Sequence, residues 1–125
     1  MYRILLADDE GIMLESLKKI IETEYGNECE IHCAKSGRVV VEMAQAYSPD
    51  ICFMDIQMPT MNGYEAARAI RAASRSDAVR IPIIAITSNA FSEDVKMALA
   101  AGMNAHIAKP FELKLLKKII RQWLN

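Results

Sequence analysis

Several chemistries are excluded by what the sequence does not contain. Its five glycines form neither GxGxxG nor GxxxxGK followed by Ser or Thr. No backbone cradle for a nucleotide's phosphates is expected, so ATP is not expected as a direct phosphoryl donor. There are two histidines, His32 and His106, and neither has an acid and a nucleophile at a spacing that suggests a Ser-His-Asp set. Cys29, Cys33 and Cys52 are an odd number in strand-like stretches, which fits buried free thiols in a reducing compartment. Cys29 and Cys33 also lack the partner ligands and spacing of a zinc site. A net charge of -1 offers no basic field, so neither nucleic acid nor membrane is expected as a direct partner. No apolar run is long enough to span a bilayer, and no signal peptide opens the chain. A cytoplasmic location is therefore expected. With no repeat, low-complexity tract or evident boundary, residues 1–125 are expected to form one domain with one core.

What is present is organised around residues 51–59, ICFMDIQMP. Residues 51–54 read as a short buried strand, Asp55 closes it, and Pro59 ends regular structure soon after. A carboxylate at the C-terminal end of a buried strand sits where open α/β sheets place their chemistry. Upstream, residues 3–7 (RILLA) read as another buried strand, followed by Asp8, Asp9 and Glu10. Residues 12–25 place Ile12, Met13, Leu17, Ile20, Ile21 and Tyr25 at helical spacing, with Gly26 and Asn27 as a stop. Residues 29–34 alternate Cys29, Ile31 and Cys33 against Glu30 and His32, which suits an edge strand. Ser36 is placed to cap a helix over 37–46, with Val39, Val40, Met43, Ala44 and Tyr47 as its apolar positions.

Downstream, the pattern predicts a helix over 64–73, a polar loop over 74–80 and a strand over 83–86. A helix over 93–101 follows, capped by Ser92. The chain then gives a strand over 105–108 and a last helix over 112–124, with Leu116, Ile119, Ile120, Trp123 and Leu124 as its buried stripe. Five strands alternate with five helices. The expected fold class is α/β: a single doubly wound (βα)5 domain whose parallel five-stranded sheet runs in the order 2-1-3-4-5, with helices on both faces.

In such a sheet the strand ends share one edge, which gathers Asp8, Asp9, Asp55, Thr87, Ser88 and Lys109. Three unpaired carboxylates would repel and raise one another's pKa. A hard divalent cation relieves this. Magnesium, which retains several waters, suits a half-solvated carboxylate cluster better than calcium does, with manganese as its substitute. The competing reading is a solvated acidic patch at the start of the first helix. Lys109 adds a cation that can neutralise Asp55 or pair with an anion placed on it, and Thr87 offers a hydroxyl to the same anion. Metal, lysine, hydroxyl and backbone N–H groups together describe stabilisation of a transferring phosphoryl group. Asp55, the carboxylate not fully committed to the metal, is the expected nucleophile.

These residues bear a resemblance to a known family. The segments ILLADDE (4–10), DIQMPTMNGYEAARAIR (55–71), IPIIAITSNAFSED (81–94) and ALAAGMNAHIAKPF (98–111) resemble, in order and spacing, the receiver domain of two-component response regulators. The resemblance covers essentially the whole chain and implies a flavodoxin-like fold. It implies that Asp55 is the phospho-acceptor, that Asp9 is the main metal carboxylate, and that Asp8 binds largely through water. The backbone carbonyl of Gln57 completes the implied magnesium ligands, and Thr87 and Lys109 contact the phosphoryl oxygens. The implied donor is a phosphohistidine on a histidine kinase or a histidine phosphotransfer domain, and slow self-hydrolysis resets the switch. His106 stands three residues before Lys109, where the family often has a switching aromatic. Ser88 replaces the alanine most common after the threonine. Gln57 and Asn89 flank the pocket as uncharged amides placed to tune attack by water.

The resemblance also implies that the face made by the fourth helix, last strand and last helix passes the signal on, to an output domain or a homodimer partner. Phe91 and Met97 are candidates for that face. The basic side of the last helix, Lys114, Lys117, Lys118 and Arg121, reads as a solvated face. No helix-turn-helix follows it in the sequence. The wording of 85–90 and 98–110 resembles receivers of hybrid sensor histidine kinases, so a receiver cut from such a kinase is expected ahead of a free-standing regulator. In that setting it would be the cytoplasmic part of a membrane-anchored sensor. It would catalyse its own aspartyl phosphorylation and dephosphorylation, as part of such a kinase. The alternative from a different class is an interaction module that keeps the fold and is not phosphorylated.

Overall fold

The computed structural model describes residues 1–73, 80–88, 92–109 and 111–124. Five strands alternate with five helices: β1 Tyr2–Ala7, α1 Gly11–Tyr25, β2 Cys29–Ala34, α2 Gly37–Tyr47, β3 Ile51–Asp55, α3 Gly63–Arg71, β4 Ile83–Thr87, α4 Ser92–Ala100, β5 Ala105–Ala108 and α5 Leu113–Leu124. All neighbouring strands pair in parallel, in the order β2-β1-β3-β4-β5, as expected from the uninterrupted apolar runs. Every residue of β3 and β4 is buried, because helices cover both sheet faces and leave no wet side to alternate with.

Side chains that alternate along the strands feed two cores. Leu5, Cys52, Met54, Ile83 and Ala85 pack with Val40, Ala44, Ala67 and Ile70 on one face. Ile4, Leu6, Ile51, Phe53, Ile84 and Ile86 pack with Leu17, Ile21, Leu116 and Ile120 on the other. This is the period-two geometry of a strand read out on opposite sides. Ser36 caps α2 by accepting from Val39 N at 3.2 Å, as the sequence suggested. Three apolar positions differ from expectation. Ile12 is 82% exposed, Tyr47 40% and Val39 39%, whereas Leu14 is buried. The inward stripe of α1 runs through Leu14, Leu17 and Ile21, and Ile12 falls off it.

Three local features aim the β3 end. Gly63 begins α3 against the backbone of β3. A Cβ there would lie 2.6 Å from Asp55 O and 2.8 Å from Ile56 Cα, so only glycine allows this approach. Gly63 N donates to Ile56 O at 2.8 Å. Asn62 and Glu65 form a capping box at the helix start, which places the start of α3 one residue earlier than the sequence pattern did. At the opposite rim, Arg3 N donates to Asp50 Oδ2 at 2.7 Å, and Tyr2, Tyr25, Ile120 and Leu124 line one hollow. Most of the expected 74–80 loop, and Pro110, lie outside the described residues, as does the side chain of the expected cap Ser92.

Candidate active site

Among the described residues, three polar or charged side chains are buried: Asp8, Asp55 and Thr87. Asp55 and Thr87 end β3 and β4, and Asp8 follows β1. Polar groups inside a domain need partners, and the strand-end geometry supplies them. Asp8 N extends the β1–β2 ladder by donating to Ala34 O at 3.1 Å, and Ile56 N donates to Ile86 O at 3.1 Å. Asp8 Oδ1 accepts from Glu10 N at 2.9 Å, and Asp55 Oδ1 accepts from Gln57 N at 3.0 Å. Each carboxylate therefore has one oxygen held by the amide two residues on, and a second oxygen turned to a shared point.

Lys109 occupies that point. Its Nζ lies 3.2 Å from Asp8 Oδ2, 3.2 Å from Asp55 Oδ2 and 3.7 Å from Glu10 Oε1. Its backbone N donates to Thr87 O at 2.9 Å, which locks the lysine to the β4 end. Burial pushes the Asp55 carboxyl up to about 6; repulsion from Asp8 adds to this, while the Gln57 N–H and Lys109 oppose it. Burial disfavours the Lys109 ammonium, but attraction from Asp55 and Asp8 outweighs it and leaves the group's pKa raised. One ammonium thus balances a surplus of negative charge.

Asp8, Asp9, Glu10 and Asp55 each offer a carboxylate oxygen, all within 4.8 Å of one another. Oxygen donors of this charge and spacing suit a hard divalent cation. Two of the four, Asp9 and Glu10, are exposed, so such an ion would keep part of its water. Glu10 was not singled out as a site residue in the sequence. Its position directly after Asp8 and Asp9 is the signal that could have found it.

The remaining candidates are spread around this centre. Gln57 and Ser88 are exposed at the ends of their strands, and Asn89 lies outside the described residues. His106 is exposed on the edge strand β5 and lines a groove with Val95, Leu99 and Met103, away from the carboxylates. Met97 is 44% exposed, and Phe91 lies outside the described residues.

A profile of the response regulator receiver domain matches residues 4–121. The chain belongs to this family. The receiver domain is 34% identical over 125 residues to hybrid signal transduction histidine kinase L of Dictyostelium discoideum, covering 97% of this chain and 7% of that protein. It is thus a small part of the length of that relative. Among solved structures, the receiver domain of a sensor histidine kinase from Pseudomonas aeruginosa superposes with a TM-score of 0.87 at 32% identity, covering 98% and 97% of the two chains. That crystal structure has a magnesium ion coordinated in its active-site cleft. The receiver domain of Saccharomyces cerevisiae Ssk1, crystallised with the histidine phosphotransfer protein Ypd1, superposes with a TM-score of 0.85 at 26% identity, covering 98% and 88% of the two chains. Among the described residues of the present receiver domain, no helix is long and apolar enough to cross a membrane.

Proposed function

We propose that this receiver domain is a phospho-accepting switch that takes a phosphoryl group from a phosphohistidine onto Asp55. The observation that carries this reading is the Asp55 carboxylate itself. It is buried, bonded at one oxygen by Gln57 N and at the other by Lys109, beside a cluster that suits a divalent cation. Asp9, Asp8 and Asp55, with the Gln57 carbonyl, would hold magnesium, and Glu10 lies close enough to share its water shell. Bound there, the ion would supply positive charge for the oxygens of the transferring group.

The protein's own groups account for the rest. An Asp55 oxygen attacks phosphorus, the O–P bond forms and the N–P bond of the donor histidine breaks, and the leaving imidazole takes a proton from solvent. Lys109 already stands 3.2 Å from Asp55 Oδ2. Its ammonium then meets a phosphoryl oxygen in place of the bare carboxylate, a charge-assisted contact. Thr87, at the adjacent strand end, offers a hydroxyl to another oxygen. Water attack on phosphorus later releases phosphate and restores the carboxylate. Gln57, Ser88 and Asn89 would set how readily that water enters, and His106 would report the change at β5. The magnesium-bound receiver and the Ssk1–Ypd1 complex support a cation and a histidine phosphotransfer partner for this chain. Its share of the hybrid kinase supports a place as one module of a longer signalling protein.

The test is to incubate the protein with magnesium and acetyl phosphate and to measure intact mass. A phosphoryl-sized gain that disappears in Asp55→Asn is expected. No gain in folded wild-type protein would show instead an interaction module that has lost phosphorylation.

A further inference from the structure

Lys109 faces three carboxylates, and only two of them are fixed. Asp8 and Asp55 are buried, and each has one oxygen held by the amide two residues on. Glu10, 3.7 Å from Lys109 Nζ, keeps its side chain 63% exposed. Its backbone N donates to Asp8 Oδ1, so the main chain at Glu10 is anchored while the carboxylate is free to swing about it. Glu10 is also the residue before α1, and its side chain accepts no bond from that helix. No acidic residue stands in the first turn of α1 either. The positive end of a 15-residue helix is therefore left without the anion that usually balances it, while the carboxylate one residue away is turned toward Lys109.

A second cation stands at that helix end. Lys35 follows β2, whose last residue, Ala34, accepts from Asp8 N. A Cβ built on Gly11 would lie 4.0 Å from Lys35 Nζ, so the ammonium lies over the start of α1. It is exposed and has no hydrogen bond or ion pair among the described residues. A lysine beside the positive end of a helix is disfavoured unless an anion joins them. Glu10 is adjacent to Gly11 in the chain. Its carboxylate therefore has two destinations within reach: Lys109 on one side, and Lys35 with the first amides of α1 on the other.

We infer that Glu10 is a displaceable counter-ion with two seats, on Lys109 while Asp55 is bare, and on Lys35 and the start of α1 once Asp55 carries a phosphoryl group. This rests on the reading of Asp55 as the phospho-acceptor. The added group brings negative charge and draws Lys109 to its oxygens. Glu10 then loses its share of the lysine and is repelled by the new charge. Moving to the second seat relieves both, so Lys35 favours the phosphorylated form by acting through Glu10. Both are positioning residues, since neither has to touch the reacting atoms.

The test measures the phosphorylated fraction by intact mass, at saturating magnesium and fixed acetyl phosphate, for wild type, Glu10→Gln, Lys35→Met and the double variant. Lys35→Met lowers the ratio of phosphorylated to bare protein at least about threefold in the wild-type background and leaves it unchanged in the Glu10→Gln background. Amide hydrogen exchange at residues 11–13 slows on phosphorylation of wild type and not of Glu10→Gln. Both positions are exposed, so every variant folds, which melting curves check. Equal losses from Lys35→Met in both backgrounds overturn the two seats, because Lys35 then acts on the phosphoryl group directly. No loss in either background overturns them too, as does exchange at 11–13 that ignores phosphorylation or responds equally in Glu10→Gln. Absence of a mass gain in folded wild type defeats the Asp55 reading, and the two seats with it; a mass gain with any of the other contrary results defeats the two seats alone.

Discussion

Lys109 and Asp55, 54 residues apart in the chain, meet at 3.2 Å between Nζ and Oδ2. The contact is more than a pair, because Asp8 approaches the same nitrogen at the same distance. The lysine stands where two buried carboxylates both need positive charge. Removing it should leave them facing each other unscreened. Metal-free Lys109→Met is expected to lose on the order of 2–3 kcal/mol of stability in urea denaturation. Added magnesium should stabilise this variant more than wild type, because the ion replaces the missing charge. Equal magnesium increments in the two proteins would contradict that assignment.

The raised pKa of Asp55 has a pH signature of the opposite sign. Between its ordinary 3.8 and about 6, the folded chain keeps a proton that the unfolded chain has released. Stability from this group is therefore highest below the unfolded value and falls as pH rises through that window. In chelator, Asp55→Asn should be more stable than wild type at pH 7, by on the order of 2 kcal/mol, and the gain should nearly vanish by about pH 4. Denaturation midpoints at the two pH values check it. A gain that is the same at both would refute the titration.

Gly63 keeps α3 against the end of β3. Gly63→Ala puts a methyl into backbone atoms that have no rotamer to yield. A loss of about 1–3 kcal/mol is expected, together with slower mass gain from acetyl phosphate, since the displaced backbone belongs to Asp55 and Ile56. Unchanged labelling kinetics at reduced stability would separate the packing from the chemistry.

Ile12 and Leu14 share a helix and have opposite environments. Leu14→Ala should cost about 2–5 kcal/mol, while Ile12→Ser should stay within about 0.5 kcal/mol of wild type. Comparable losses for the two would mean that the first turn of α1 packs differently in solution.

That pair also shows how far the sequence could be read. Ile12, Met13 and Leu14 are consecutive and all apolar, so periodicity alone did not decide which of them faces the sheet. Asp8, Asp55, Thr87 and Lys109 were legible because each stands where an apolar run stops, and parallel pairing brings those stops to one edge. Periodicity does not fix strand order among doubly wound sheets; the pairing of β1 with both β2 and β3 does. The donors at Glu10 and Gln57 are backbone amides, which any residue supplies. Arg71 reads as an ordinary member of an Ala- and Arg-rich helix, and its partners Gly102 and Asn104 lie 31 and 33 residues further on. The capping box is legible in the spacing, an Asn at 62 followed three residues on by Glu65, and it sets the start of α3 at Gly63.

The hollow shared by Tyr2 and Leu124 places the first strand and the last helix side by side at the rim away from Asp55. A strand of five residues spans roughly 17 Å, so entry and exit of the chain are separated from the carboxylates by the depth of the sheet. A domain with this plan can be spliced into a longer polypeptide like a cassette. Neither junction crosses the face that carries Asp55, and a host chain would need only a narrow gap to take the domain in.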